Sequence, residues 1–469
     1  MRHLILIAVF FCTALHSIAQ QHPEVATNIA RYVNQSDPAG LFSLFDSTFK
    51  TQFPLDAVKN AVPSLQNAFG NFNSVKFLKG ENNQSLYQFE GTKGKIFVVL
   101  SYNNDKISSM LFTHEDPFFE LKKRDKWQTD NPLSSTSDKL VDTIVRSILQ
   151  RSNTPAISIG VWKDGKAFYY NYGESFLNGG PLPSAHSVYE IGSVTKTFTG
   201  TVLAHLLRTG KVSLDDKVNK YLPDSIPLLG TSDTPLLIRH LVAHTGGLPH
   251  QNDKDYGAKV SDDVDNQMKF YEARHMLAFV KDWKPFETPG TKFRYSNLGY
   301  SLLGYMCERV TGKPISVLYR ELIFTPLGMK RSFINEEQPI GEVRPYHADA
   351  TPARYFTVSA YTPAGAARSN IEDLLKYLRM QTTPDSSIAG RDIAYSHAPV
   401  MQTEMNLAIG WFWAENAKGK YFFHSGGTAG FTSRVLFQPA TGVAVVVLSN
   451  CLNGDANEIG DRIFHQINP

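Results

Sequence analysis

Two β-hairpin patterns stand far apart in this chain, and together they constrain its fold more than any other feature. The first is Ala156-Ile157-Ser158-Ile159-Gly160-Val161-Trp162, followed by Lys163-Asp164-Gly165-Lys166 and then Ala167-Phe168-Tyr169-Tyr170. Asp-Gly between two such runs is a strong hairpin signal, because a type I′ turn needs positive φ at both central positions. The second hairpin runs from Phe431 to Gln438 and from Val443 to Ser449, about the turn Pro439-Ala440-Thr441-Gly442. A final amphipathic helix is expected at about 456–467, and the sequence between the hairpins is mostly helical in pattern. Strands at both ends of a helical stretch predict one sheet built from the two termini of this region. The region begins near residue 138, where Asp138 is expected to cap a helix carrying Leu140, Ile144 and Ile148.

Upstream lies a second, smaller pattern. Residues from about 24 to 75 read as helices, with Val25, Ile29 and Val33 at helical spacing, then Leu41, Leu44, Phe45 and Phe49. Three strands are expected near 84–90, 95–102 and 106–112, with turns at Gly91-Thr92-Lys93-Gly94 and Asn103-Asn104-Asp105. Helices followed by an antiparallel meander make a small α+β unit over 20–115. In the order of its elements this unit resembles the cone-shaped domains similar to nuclear transport factor. It is expected to serve packing or dimerisation, with substrate or partner docking as the alternative. Residues 116–137, with Pro117, Pro132 and a Ser/Thr run, are expected to be a linker, and 138–469 the larger domain.

The first nineteen residues read as a secretory signal peptide. Arg2 and His3 precede an apolar run from Leu4 to Phe11, and Ser17-Ile18-Ala19 supplies small residues for cleavage. That run is shorter than the about 20 residues a membrane-spanning helix needs, and no later segment is long and apolar enough. The expectation is an exported protein, periplasmic or secreted, with no transmembrane segment. A formal net charge of +3 on 469 residues gives no electrostatic footprint for nucleic acid. Beyond the signal only Cys307 and Cys451 remain, and they are read as buried free thiols.

The chemistry concentrates in three places. Ser193-Val194-Thr195-Lys196 opens a helix whose apolar stripe is Val194, Phe198, Val202 and Leu206, with Gly210 as its stop. A spacing of three puts Ser193 and Lys196 on one face. A serine hydroxyl needs a neighbouring base, and a desolvated lysine can supply one. Tyr295-Ser296-Asn297 follows, where a tyrosine can share the base role and an amide can hold both lysine and substrate carbonyl. His424-Ser425-Gly426-Gly427 comes third, on a strand edge whose small residues let a substrate backbone approach.

Each pattern alone is cheap. Ser47-Thr48-Phe49-Lys50 matches the first but is read as mid-helix surface sequence, and Tyr32, Tyr102 and Tyr169 begin copies of the second. His244-Thr245-Gly246-Gly247 competes with the third and is read as a helix stop and loop. His240, His244 and His250 raise zinc, but no acidic residue completes a metalloprotease pattern, so no metal is expected.

Order and spacing of the three motifs resemble the class C β-lactamase and D-alanyl-D-alanine carboxypeptidase superfamily, the penicillin-binding-protein-like serine hydrolases. The resemblance covers about residues 138–467. It includes Leu241-Val242-Ala243-His244-Thr245-Gly246-Gly247-Leu248-Pro249, Pro326-Leu327-Gly328-Met329 and Pro363-Ala364-Gly365-Ala366-Ala367-Arg368-Ser369. It implies an α/β fold of the β-lactamase-like transpeptidase type, an antiparallel sheet flanked by helices with a helical subdomain. It also implies an acyl-enzyme on Ser193, activation by Lys196 and Tyr295, and Asn297 positioning Lys196 and substrate. The oxyanion hole would come from the N–H groups of Ser193 and Gly427, with His424 and Gly426 beside the substrate and no cofactor.

The expected substrate is a small molecule or peptide, cell-wall derived in one reading. Where many β-lactamases and transpeptidases carry lysine in the third box, this chain has His424, which is largely neutral near pH 7. That favours an esterase, amidase or D-amino-acid peptidase over a true β-lactamase or D-alanyl-D-alanine carboxypeptidase. A catalytically inactive cell-wall or partner binding protein is the rival from another class, and the intact set Ser193, Lys196, Tyr295 and Asn297 argues against it.

Overall fold

In the computed structural model, which describes residues 22–81, 84–113, 127–251, 268–334 and 343–468, Asp164 and Gly165 take φ of 51° and 74°. They join β5 (Ala156–Lys163) to β6 (Lys166–Gly173), the expected hairpin. The signal-peptide reading of residues 1–19 lies outside the described residues. The chain divides into two compact units, Met1–Glu120 and Leu121–Pro469.

In the first unit four helices, α1 (Pro23–Asn34), α2 (Pro38–Ser43), α3 (Ser47–Gln52) and α4 (Leu55–Phe69), precede the strands. These are β1 (Phe72–Glu81), β2 (Gln84–Gly91), β3 (Gly94–Asn103) and β4 (Lys106–Thr113), in that order in one antiparallel sheet. Ile29, Val33, Leu41, Phe49, Val58 and Val62 from the helices bury against Tyr87, Phe89, Val98 and Leu100. The sequence predicts three strands and a helical stretch to 75; β1 is a correction to both. Its pairing with β2 shifts register between Phe72 and Ser74 and again between Phe77 and Lys79. Such bulges break the two-residue alternation that marks a strand in sequence. Ser47 is a second correction: it is the exposed first residue of α3, capped by the Asp46 side chain on Phe49 N (2.7 Å), not a mid-helix residue.

The second unit opens earlier than the expected linker allows. Gly173 N donates to Gln128 O (2.9 Å), Asn171 N to Asp130 Oδ1 (2.7 Å), and Asn131 Nδ2 to the Tyr172 hydroxyl (2.6 Å), so residues 128–131 edge the sheet. The first helix of this unit, α5 (Thr136–Leu149), is capped by Ser135 rather than Asp138. Asp138 is its third residue and returns a bond to Ser135 N (2.8 Å), completing a capping box.

After β6 come a two-residue strand β7 (Tyr189–Glu190) and the helices α6 (Thr195–Arg208), α7 (Ile238–Val242), α8 (Ala273–Asp282), α9 (Asn297–Thr311), α10 (Ile315–Tyr319) and α11 (Thr325–Leu327). Strand β8 (Phe333–Ile334), α12 (Thr362–Gly365), β9 (Ala367–Ser369), α13 (Ile371–Thr382) and α14 (Ile388–Ser396) follow. The chain ends with β10 (Pro399–Gln402), β11 (Asn406–Ala408), β12 (Phe412–Asn416), β13 (Gly419–Gly427), β14 (Thr432–Gln438), β15 (Val443–Ser449) and α15 (Asp455–Ile467).

The main sheet is antiparallel in the order β10-β11-β12-β13-β14-β15-β5-β6. The late hairpin therefore pairs with the early one, Val446 opposite Gly160 and Val447 opposite Ile159. Strand β15 is apolar from Val443 to Leu448 because both faces are covered. Val443, Val445 and Val447 pack under α5 and α15 with Ile144, Ile148, Ile459 and Ile463. Ala444, Val446 and Leu448 face the helical subdomain with Ile371, Leu374 and Leu378. This antiparallel sheet flanked by helices, with helices gathered between its two hairpins, is the fold expected from the sequence. Cys307 and Cys451 are buried and unpaired.

Candidate active site

The nucleophile candidate is placed by a turn that only glycine allows. Strand β7 pairs with β9, Ile191 N donates to Ala367 O (3.0 Å), and Gly192 then takes φ of 48°. A Cβ at Gly192 would stand 2.6 Å from both N and O of Gly427, and one at Gly426 would stand 2.0 Å from Ile191 O. The two backbones touch, and Ser433 Oγ fastens them by donating to Ile191 O (2.8 Å). Ser193 sits in the single 3-10 turn Gly192–Val194 that leads into α6.

Lys196 lies in the first turn of α6 and is fully buried. Its Nζ is 3.0 Å from Ser193 Oγ, 2.7 Å from Asn297 Oδ1 and 2.6 Å from Ala364 O. Burial holds this lysine well below its ordinary pKa. A neutral amine has two N–H donors for the two fixed acceptors, Asn297 Oδ1 and Ala364 O, and leaves its lone pair for the Ser193 hydroxyl. Three donations from an ammonium would satisfy the same distances, but no carboxylate stands among its hydrogen-bond partners to offset the desolvation of a charge.

Ser296 caps α9, accepting from Gly299 N (3.0 Å) and donating to Pro249 O (2.7 Å), which fixes Tyr295 and Asn297 on either side of it. Tyr295 hydrogen-bonds Ser193, and burial pushes its phenol up to about 12. Its ring centroid lies 4.9 Å from Lys196 Nζ. Asn297 Nδ2 donates to His250 Nε2 (3.4 Å) and its backbone N to His250 O (2.9 Å), so its oxygen is the atom turned to Lys196.

Strand β13 closes the site. Thr428 N donates to Phe431 O (3.0 Å), so the next cross-strand pair, Gly427 with Thr432, is of the non-hydrogen-bonded kind. The Gly427 N–H therefore points away from β14, on the side where its nitrogen approaches Gly192. His424 is buried, and its Nδ1–H donates to Ser425 O (2.7 Å). Burial pushes its pKa down to about 3, so the imidazole is neutral. The cleft in front of Ser193 has a volume of about 590 Å³ and reaches Tyr295, Ser425, Gly426 and Gly427.

All seven residues singled out by sequence thus meet in one place: Ser193, Lys196, Tyr295, Asn297, His424, Gly426 and Gly427. The helix-stop reading of His244 fits, since it follows α7 with φ of 54°, but that reading missed its second position. Its ring centroid lies 4.4 Å from that of Tyr295, and its Nδ1 accepts from Ser296 N (3.1 Å). His250 and the Ala364 carbonyl were also missed. Ala364 lies in the stretch Pro363–Ser369 that resembles the family's supporting sequence, and His250 directly follows the stretch that ends at Pro249, which is the only signal that could have found them. Among the described residues no cluster of three His, Cys, Asp or Glu is arranged to hold a metal ion.

Known proteins carry the same core. The family model described as Beta-lactamase matches residues 141–467. A protein named Beta-lactamase from Pseudomonas fluorescens is 26% identical over 349 residues, covering 66% of this chain and 93% of its own. Protein flp from Staphylococcus aureus strain MW2 is 28% identical over 330 residues, covering 68% of this chain and 64% of that protein. Among solved structures, a β-lactamase/D-alanine carboxypeptidase from Pseudomonas syringae superposes with a TM-score of 0.61 at 22% identity, over 71% of this chain and all of that one. The octameric penicillin-binding protein homologue from Pyrococcus abyssi gives 0.61 at 27% identity, over 71% of this chain and 77% of that one.

Proposed function

This chain belongs to the β-lactamase family of serine hydrolases, and on that premise we propose that it cleaves an ester or amide bond through an acyl-enzyme on Ser193. The observation that carries the reading is the buried Lys196 amine 3.0 Å from Ser193 Oγ, with its two other contacts taken by fixed oxygens. Ser193 Oγ attacks the substrate carbonyl and its proton passes to Lys196 Nζ. The oxyanion forms between the N–H groups of Ser193 and Gly427. Collapse breaks the bond to the leaving alcohol or amine, which takes a proton through Tyr295. Water then adds to the acyl carbonyl, gives its proton to the same pair, and releases the acid while Ser193 regains its hydrogen.

The two titratable partners divide the work. Burial lowers Lys196 and raises Tyr295, so the neutral lysine is the base and the phenol, protonated at neutral pH, is the donor. Asn297 holds Lys196 and the substrate amide or ester; His424 and Gly426 border the bound substrate.

Within the family, the neutral His424 favours esters, amides and D-amino-acid peptides over β-lactams, so turnover of nitrocefin is expected to be weak or absent. The apolar run after Arg2 and His3 supports export. The test is labelling of the mature protein with a fluorophosphonate, read by intact mass beside Ser193→Ala. One adduct on the wild type that disappears in the variant is the expected result. Folded wild type that takes no adduct would overturn the nucleophile assignment.

A further inference from the structure

The walls of the cleft say more about the substrate than its floor does. Phe293 and Phe412 stand on the Tyr295 side, ring centroids 6.4 Å apart in an edge arrangement, and Met405 extends that wall with 38% of its surface open to solvent. Leu452, 40% exposed, also lines the cleft, beside the end of β13 at Gly427. Its Cδ1 lies 3.2 Å from where a Cβ of Gly427 would be. Large apolar side chains left this open in the same cleft as the nucleophile make a surface that a bound apolar group would cover.

The charges around the same cleft point the same way. No lysine or arginine is among the described residues that line it. Arg434, whose charge reaches His424, is paired with Asp461 at 2.6 Å, and Arg294 with Glu287 at 2.6 Å. Gly454 and Asn457, at the start of α15, also border the cleft. A helix N-terminus ordinarily favours an anion, but the first turn of α15 already carries Asp455 and Glu458. Asp455 accepts from Thr154 Oγ1 (2.6 Å) and Asn453 Nδ2 (3.0 Å), and Glu458 is paired with Arg151 at 2.6 Å, so a substrate carboxylate placed there would meet an acid on one side and a cation already engaged on the other. One placed against Phe293, Phe412 and Met405 would meet only apolar side chains.

We propose that the cleft takes uncharged esters with an apolar acyl group and turns away acyl donors that carry a carboxylate near the scissile carbonyl. This rests on Ser193 being the nucleophile and specifies which ester class that nucleophile meets. Discrimination comes from both parts of the cleft: apolar contact rewards the neutral chain, and the unpaired carboxylate is repelled or desolvated without a partner.

The experiment compares p-nitrophenyl valerate with mono-p-nitrophenyl glutarate, acyl chains of equal carbon number of which one ends in a carboxylate. On the wild type kcat/KM is expected to favour the valerate by about 100-fold. Leu452→Lys and, independently, Met405→Lys are each expected to narrow that ratio at least about tenfold by giving the carboxylate a partner. Fluorophosphonate labelling of Ser193 is run on the same preparations. Full labelling with a glutarate rate equal to or above the valerate rate would overturn the specificity while leaving the nucleophile standing. Loss of labelling in folded wild type would overturn both.

Discussion

The imidazole of His244 lies against the ring of Tyr295, centroids 4.4 Å apart and planes inclined by 31°, while its Nδ1 accepts the N–H of Ser296 and its carbonyl the N–H of Arg294 (2.7 Å). One residue thus grips the Tyr295 segment from both sides in sequence and from the ring face. Its removal should displace the phenol without touching substrate. His244→Ala is expected to lower kcat on a neutral ester by about 100-fold with little change in KM. His244→Asn should fall between, because asparagine tolerates the φ of 54° and keeps an acceptor but loses the ring. Wild-type kcat in the alanine variant would rule out the positioning role.

Lys196→Met should separate activity from stability. Loss of the base is expected to lower kcat by about 10³-fold. Stability should rise at neutral pH: the unfolded lysine holds a proton near its ordinary pKa of about 10.4, whereas the buried one gives it up far lower. Between those two values the unfolded chain binds more protons, so wild-type stability climbs with pH and the methionine variant loses that slope. Urea midpoints at neutral and alkaline pH test it; a less stable methionine variant with an unchanged slope would contradict a neutral Lys196.

Below the nucleophile turn, Glu190 and Arg368 form a buried pair at 3.3 Å, and Glu190 Oε1 also accepts from Phe356 N (2.7 Å). Burial pushes the Glu190 carboxyl up, and Arg368, the largest opposing influence, draws it down. Arg368→Met alone should destabilise by about 3–5 kcal/mol, because it strands a buried carboxylate. Adding Glu190→Gln should recover a large part of that loss. Denaturant titration of the two singles and the double decides it, and strictly additive losses would show that the two side chains are not coupled.

Gly192 and Gly365 make a matched pair of alanine tests. At Gly192 the φ of 48° and the Gly427 backbone leave no room for a methyl, whereas a Cβ at Gly365 meets nothing nearer than 3.8 Å. Gly192→Ala is expected to abolish fluorophosphonate labelling, and Gly365→Ala to retain it. Equal labelling of both would mean that the turn can relax away from β13.

The hairpins and the three motifs were legible because each is written in a short window: Asp164-Gly165 for a turn, Ser193 to Lys196 for one helical face. What escaped lies between windows. Strand β1 hides its period behind two bulges. Ser135 and Asp138 form one reciprocal cap, so pattern alone picked the wrong member. His244 acts on Tyr295 only after a loop has folded back, and Ala364 contributes a carbonyl that any residue type could offer. The Asn131–Tyr172 contact tied down residues that read as linker from their polarity.

The seam between β15 and β5 sets the order in which this unit can assemble. Its pairs, such as Ser449 with Ile157 and Ala444 with Trp162, join segments from opposite ends of the unit. Contacts so distant in sequence make folding slow, and no centre of the sheet exists until both ends of the unit have emerged from the ribosome. The helices can form as they are synthesised, but the sheet that carries them must wait for β15. Until that strand arrives, Ile157 and Ile159 of β5 lack the neighbour that closes the sheet over them.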